Sequence, residues 1–327
     1  MPISTINTNS IADDAVTVSK VTDRVLTHRN LIINGAMQVA QRGTSFGTLS
    51  SQAYTLDRWI VDAGATVQQA SLSVDEITND TQLTKAIQMQ GASSDYFLTR
   101  IEDVTKFSNQ TFTLSFYVKG SSATTLNNIY ARQAFGSGGS SLVDTALSNV
   151  SYSVTTSYTR YTATVTLPSI SGKTVGTGSY LELFMLLPDS VTVYITGVQL
   201  EVGDTATPFE HRSYGDELAR CQRYYEQMSG GGGDMVSSVG QAFTSSSGET
   251  AIIYKVEKRA APAITTSGSF EVWLGTGVSG ITSNAFAEVR TTQATWQYGG
   301  GAYATTGQAI QFFASGGDAT IKIDAEL

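Results

Sequence analysis

Residues able to do catalytic chemistry are sparse and badly spaced. In 327 residues there are two histidines, His28 and His211, and one cysteine, Cys221. Nucleophilic catalysis needs a hydroxyl or thiol beside a base that a third group orients. His28 falls in an N-terminal arm and His211 just past a long β region, so neither builds such a set. No Cys or His cluster has zinc spacing. Glu102 and Asp103 are adjacent and would point to opposite faces of a strand, which suits glycoside hydrolysis poorly. Gly275-Thr276-Gly277-Val278-Ser279-Gly280 matches the dinucleotide fingerprint, but residues 281–288 have no helical period, so it reads as a turn.

What the sequence does offer is a set of aromatics that are candidates for contact, sugars being one ligand class that would use them. Sugar rings carry C–H faces that stack on Trp and Tyr, while amides and carboxylates take the hydroxyls. Trp296 and Tyr298 alternate before three glycines, Tyr303 follows, and Trp273 borders the glycine-rich run at 275–280. These four are the candidate glycan-binding residues. Burial in a core is the competing fate, because large aromatics usually contribute by leaving water. Trp59, beside Asp57 and Arg58, reads as structural.

The elements that must position these residues are strands. With 31 Gly, 5 Pro and 15% charged residues, and Val, Thr, Tyr and Phe recurring in short runs, the composition is that of an all-β protein. Phe112, Leu114, Phe116 and Val118 alternate with Thr113, Ser115, Tyr117 and Lys119, and Tyr161, Ala163, Val165 and Leu167 repeat the pattern. Leu181, Leu183, Met185 and Leu187 add another apolar row. This predicts a sandwich whose strands each bury one face. From Val191 the apolar parity switches at Gly197, which predicts a β-bulge there. Pro208 then ends the strand region. Further strands are expected at Thr250–Glu257, Ser269–Leu274, Ala309–Ala314 and Ala319–Leu327, the last paired to its end.

Between the two β regions, Ser213 through Glu217 carry a helix-start signal and the glycines at 230–233 a stop. Leu218, Cys221, Tyr225 and Met228 step by three, four and three, a narrow apolar stripe. A helix of about four turns is marginal alone. Its stripe must be covered either by the preceding sandwich or by copies of itself around a symmetry axis. Ile11, Ala15, Val18, Thr22 and Val25 show similar steps in the first thirty residues, an oligomerisation pattern whose alternative is a frayed tail. The expected organisation is therefore an arm (1–29), a β-sandwich (30–210), a short amphipathic helix (211–229), a glycine linker (230–234) and a smaller distal β-sandwich (235–327).

The net charge of −8, from 20 Lys plus Arg against 28 Asp plus Glu, argues against nucleic acid as a partner. No run approaches the roughly 20 apolar residues that insert in a membrane. MPISTINTNSIADD lacks the basic and apolar regions of a secretion signal, which disfavours a bacterial adhesin. A lone cysteine excludes an intrachain disulfide and fits folding in a reducing compartment.

Asn30-Leu31-Ile32-Ile33-Asn34-Gly35-Ala36-Met37, then Gln41-Arg42-Gly43-Thr44, Tyr54-Thr55-Leu56-Asp57-Arg58-Trp59, Gly197-Val198-Gln199-Leu200-Glu201-Val202-Gly203 and Thr207-Pro208-Phe209-Glu210 resemble, in that order, the jelly-roll module of bacteriophage tail fibres. That module is similar to carbohydrate-binding jelly rolls. Arg220-Cys221-Gln222-Arg223-Tyr224-Tyr225-Glu226 and Lys258-Arg259-Ala260-Ala261-Pro262 resemble the helix and distal β domain that follow it. Asn9 through Thr17 resemble a virion-attachment segment, although the N-terminal repeat is much shorter than in many fibres. The resemblance implies a noncatalytic homotrimer in the virion tail, assembled in the host cytoplasm. Its arm would be held by other phage tail or adaptor proteins, and its outer end would contact host surface polysaccharide. It implies no cofactor, but allows structural calcium at the edge of the jelly roll with Asp204 as a candidate ligand. The alternative role is a structural virion adaptor whose jelly roll joins neighbouring proteins without binding a receptor.

Overall fold

Alternating side chains between Ser45 and Val202 let each strand present one face to a shared core, and in the computed structural model these strands form two antiparallel sheets of six and a two-stranded pair, Thr124–Asn127 with Ser151–Val154. The structure describes residues 28–327 except 79, 93, 149–150, 231–233, 235–236, 238, 274–276, 301–304 and 316–318. In the first sheet Ser45–Thr48, Thr66–Ser71, Lys85–Gln90, Val193–Val202, Thr111–Gly120 and Thr159–Thr166 lie side by side in that order. In the second the order is Val143–Ala146, Ile129–Ala134, Tyr180–Leu186, Tyr96–Glu102, Trp59–Val61 and Ala53–Tyr54. The chain crosses repeatedly from one sheet to the other, as in a jelly roll. Phe112, Leu114, Phe116 and Val118 meet Leu181, Leu183 and Met185 in the core, where Trp59 stacks on Phe97 at 4.6 Å.

The strand Thr111–Gly120 departs from the expected one-sided burial, because Thr113, Ser115 and Tyr117 are covered as well. The chain after Gly203 folds back over that face. Thr113 Oγ1 donates to Gly203 O at 2.8 Å, Arg160 donates to Ser115 Oγ at 3.0 Å, and Phe209 packs with Tyr117, Ile77 and Leu83. Polar outward positions on this strand are thus hydrogen-bonded rather than solvated.

The bulge expected at Gly197 is present. Gly197 takes φ 59°, and the register against Thr111–Gly120 shifts between Thr196 and Gln199. The shift frees Val198 to pair with the incoming chain: its N–H donates to Gly35 O at 2.9 Å and its carbonyl accepts from Asn30 Nδ2 at 3.1 Å. The approach is so close that a Cβ on Gly35 would lie 2.1 Å from Val198 O.

The helix is shorter than its expected span of 211–229. It runs Tyr214–Gln222, with Ser213 Oγ accepting from Asp216 N at 3.2 Å and Arg223 closing its end. Tyr225 and Met228 leave the stripe altogether and lie on a strand, Tyr225–Gly230, paired with Ala319–Asp324. A ready row of backbone partners outweighs one more helical turn. Cys221 and Tyr225 are buried by their own chain, while Leu218 and Met228 are half-buried. Ile11, Val18 and Val25 lie outside the described residues.

The distal sandwich therefore begins at Tyr225, before the glycines rather than after them. Its smaller sheet orders Tyr225–Gly230, Ala319–Asp324 and Ala263–Ser267. The larger has seven strands, ordered Val278–Gly280, Phe270–Trp273, Ala309–Ala314, Gly240–Thr244, Ser247–Ile253, Gln293–Gly299 and Ser283–Ala287. Ile321 and Ile323 of the first pack on Val272, Trp296 and Phe312 of the second.

This unit is docked, not pivoted. The Arg58 and Arg42 guanidinium carbons stand 3.5 Å from the ring centres of Tyr224 and Tyr225. Gln41 donates to Tyr225 O at 2.8 Å, Tyr54 Oη to Leu327 O at 3.0 Å, and Glu326 pairs with both Arg58 and Arg42. The Glu326 side chain lies inside this junction, 5% exposed.

Candidate functional site

The outer face of the seven-stranded sheet is set by the same alternation that builds its core. Ala294, Trp296 and Tyr298 point inward, so Thr295 and Gln297 point out. Register places Gln241 opposite Glu249 and Glu249 opposite Gln297, a row of two amides flanking one carboxylate across three strands. One step along, Ser247 and Ser283 both oppose Gly299, and Ala285 opposes Gln297. These small residues leave a depression, a groove of about 470 Å³ whose described lining carries no charged residue.

Phe243 overhangs this groove for a definable reason. The register between Gly240–Thr244 and Ser247–Ile253 shifts between Ala242 and Thr244, and the extra residue is Phe243. A bulge re-aims the side chain it inserts. Ala242 is in the core, while Phe243 is 44% exposed on the groove wall. Nothing in the sequence singled out Phe243, because a large aromatic next to an alanine reads as the inward residue, and here Ala242 takes that side. The polar run Thr244–Ser247 after it was the available signal of a tight turn beside an aromatic.

The structure separates the four aromatics proposed from sequence. Trp296 and Tyr298 are core residues, 0% and 4% exposed, with Phe312 packed at 4.9 Å and 4.6 Å from their ring centres. They cannot serve as exposed sugar platforms, and only the Tyr298 position on the strand contributes to the groove. Trp273 is 43% exposed on the outer face, opposite Gln311 and Val278. Tyr303 lies outside the described residues. From Trp273 to Phe243 is two strands across and several residues along, roughly 15 Å by strand spacing. That is the reach of an oligosaccharide, not of one sugar.

Polar clusters elsewhere are occupied with structure. His211 Nε2 meets Asp80 at 2.7 Å and its ring packs edge-on against Phe209, tying a loop to the sandwich. Glu102 binds Arg223 at 3.1 Å, whereas Asp103, at φ 66°, caps a short 3-10 turn through Thr105. Burial pushes the Cys221 thiol well up, the opposite of nucleophile activation. Lys258 and Glu226 form a fully buried pair at 2.7 Å, and burial draws the Lys258 ammonium down from its ordinary value. Among the described residues no three His, Cys, Asp or Glu side chains converge as metal ligands. Asp204 accepts from Thr205 Oγ1 at 3.0 Å.

A second aromatic surface lies on the outside of the second jelly-roll sheet. Phe184 stacks on Tyr130 at 5.2 Å and meets Tyr96 edge-on at 5.4 Å. Its open side is covered: Arg132 sits 4.7 Å over Phe184, locked by Asp144 at 2.7 Å and Glu182 at 3.1 Å. Those ion pairs leave fewer free polar groups for sugar hydroxyls than the distal face does.

No protein-family model matches the chain, and no curated protein matches it. Several solved structures are distantly similar. The CBM22-1 xylan-binding domain of Paenibacillus barcinonensis Xyn10C is 12% identical over 54% of this chain and 96% of its own, with a TM-score of 0.35. The CBM22-1–CBM22-2 tandem of the same protein is 10% identical over 91% and 98%, at 0.36. Tailspike protein 4 of bacteriophage CBA120 is 16% identical over 53% of this chain and 21% of its own, at 0.33. Likenesses this slight decide neither ligand nor role.

Proposed function

We propose that this protein is a noncatalytic bacteriophage tail-fibre or tail-tip protein whose distal sandwich recognises a glycan on the host surface. The observation that carries the binding half is the bulge that holds Phe243 over a hydroxyl- and amide-lined groove. An exposed aromatic beside neutral hydrogen-bonding groups on a rigid sheet is what sugar recognition requires. The virion half rests on the ordered motifs shared with phage fibres, including the arm that would anchor the N-terminus to tail or adaptor proteins. Trimer formation is part of the proposal, through Ile11, Val18 and Val25 of the arm and the half-buried Leu218 and Met228.

The test is binding of purified protein to host cells or their envelope polysaccharide. Phe243→Ala and Gln297→Ala should each weaken binding at least about tenfold without changing the unfolding midpoint, and Trp273→Ala should weaken binding to long chains only. Trp296→Ala should instead destabilise the distal unit by about 3–5 kcal/mol, because it empties a core position. Binding unaffected by Phe243→Ala and Gln297→Ala would move the site elsewhere. The adaptor reading is favoured by the Tyr96–Phe184–Tyr130 surface; loss of virion incorporation in Tyr96→Ala, with cell binding absent from the parent protein, would support it. A monomer by native mass measurement would remove the trimer.

A further inference from the structure

We infer that the groove takes a neutral saccharide and discriminates against uronic, sialic and phosphorylated ones; this rests on the glycan reading above. The described groove lining has no charge, and the one ionisable group in the adjoining row of three is the Glu249 carboxylate between Gln241 and Gln297. The five cations after residue 234 are all placed elsewhere. Lys258 is buried against Glu226, and Arg259 donates to Ala325 O and Glu326 O at the junction. Lys322 lies on the smaller sheet, and Lys255 lies just past the end of the strand Ser247–Ile253 remote from Ser247. Arg290 pairs with Glu288 in the turn joining the far ends of the strands whose other ends supply Ser283 and Gly299.

An anionic sugar bound over Phe243 would therefore give up water around its charge and receive no countercharge. It would also approach Glu249 and the field of a chain carrying −8 overall. A neutral sugar meets none of this. Its C–H face can lie on Phe243 while Gln297, Ser247 and Ser283 take hydroxyls or an acetamido group, each of which these side chains can serve as donor and acceptor. A like-charge interaction across a surface site is worth roughly a fivefold to tenfold change in affinity.

The full chain should be titrated with neutral oligosaccharides (xylo-, cello- and N-acetylglucosamine series) and with oligogalacturonate and oligosialate, at low and at high salt. The expected result is that neutral ligands bind at least about fivefold tighter than acidic ones, with affinity unchanged by salt. Glu249→Lys should recover acidic binding at low salt and leave neutral binding within about twofold. Tighter binding of an acidic series, lost in Phe243→Ala, would overturn this inference while leaving glycan recognition intact. If neither class binds, the glycan reading fails and takes this inference with it.

Discussion

Arg58→Met removes the buried cation that ties residue 326 to the jelly roll, and its effect can be worked out in advance. The Arg58 side chain is 1% exposed and lies between Glu326 and the Tyr224 ring. Deleting one partner of a buried ion pair costs about 3–5 kcal/mol, because the other is left charged in a dry site. Glu326 keeps Arg42 at 3.3 Å, so the lower end, about 3 kcal/mol, is expected. With a urea slope near 3 kcal/mol/M the midpoint should fall by about 1 M. The pH dependence is an independent check. Burial lifts the Glu326 carboxyl above its ordinary value, while Arg58 and Arg42 pull it back. Without Arg58 it rises further, so the folded state holds a proton that the unfolded state has released. The added loss should grow as pH rises above the unfolded carboxylate value of about 4.3 and shrink as pH falls toward it. In a Glu326→Gln background there is no carboxyl to protonate, and Arg58→Met should cost less and respond little to pH. A variant within about 1 kcal/mol of the parent at pH 8, or an equal loss at pH 5 and pH 8, would refute the reasoning.

Gly197→Ala should destabilise by about 2–4 kcal/mol, combining a left-handed backbone with a Cβ 2.9 Å from Leu83 and Tyr117. Gly215→Ala, on the exposed first turn of the helix with open space around it, should stabilise by up to about 1 kcal/mol in the same urea assay. Cys221 should resist thiol reagents at pH 8 in the folded protein and react only on unfolding, since its thiol is buried and its acidity suppressed; rapid native labelling would contradict its placement. Of the three tryptophans only Trp273 is exposed, so acrylamide should quench a fraction of the emission that Trp273→Phe abolishes.

How much of this could be read beforehand depended on whether local pattern and tertiary pairing agreed. The alternation at Phe112–Val118 and at Ile321–Asp324 marked true strands, although pairing stops at Asp324 rather than at the expected Leu327, and the parity switch at Gly197 located a real bulge, because all three are local signatures of backbone geometry. The stripe through Tyr225 and Met228 misled because a few apolar residues at steps of three and four suit a helix or a strand equally. What decided the matter was a partner strand nearly a hundred residues later. Trp296 and Tyr298 neighbour glycines and so read as loop-side contacts, but the sheet register turns both inward. Phe243 was invisible for the converse reason: a large aromatic beside an alanine reads as the core residue, whereas the sheet turns Ala242 inward and Phe243 out.

The place of residues 319–324 has a consequence for biosynthesis. That segment is the middle member of the small distal sheet, with Tyr225–Gly230 on one side and Ala263–Ser267 on the other, so neither neighbour has a hydrogen-bonding mate until it has been translated. The jelly roll, whose last strand ends at Val202, can close while the ribosome is still far downstream. Over that interval the nascent distal half carries open strand edges, and a chaperone or a slower codon tract acting there would govern yield without touching any residue of the finished groove.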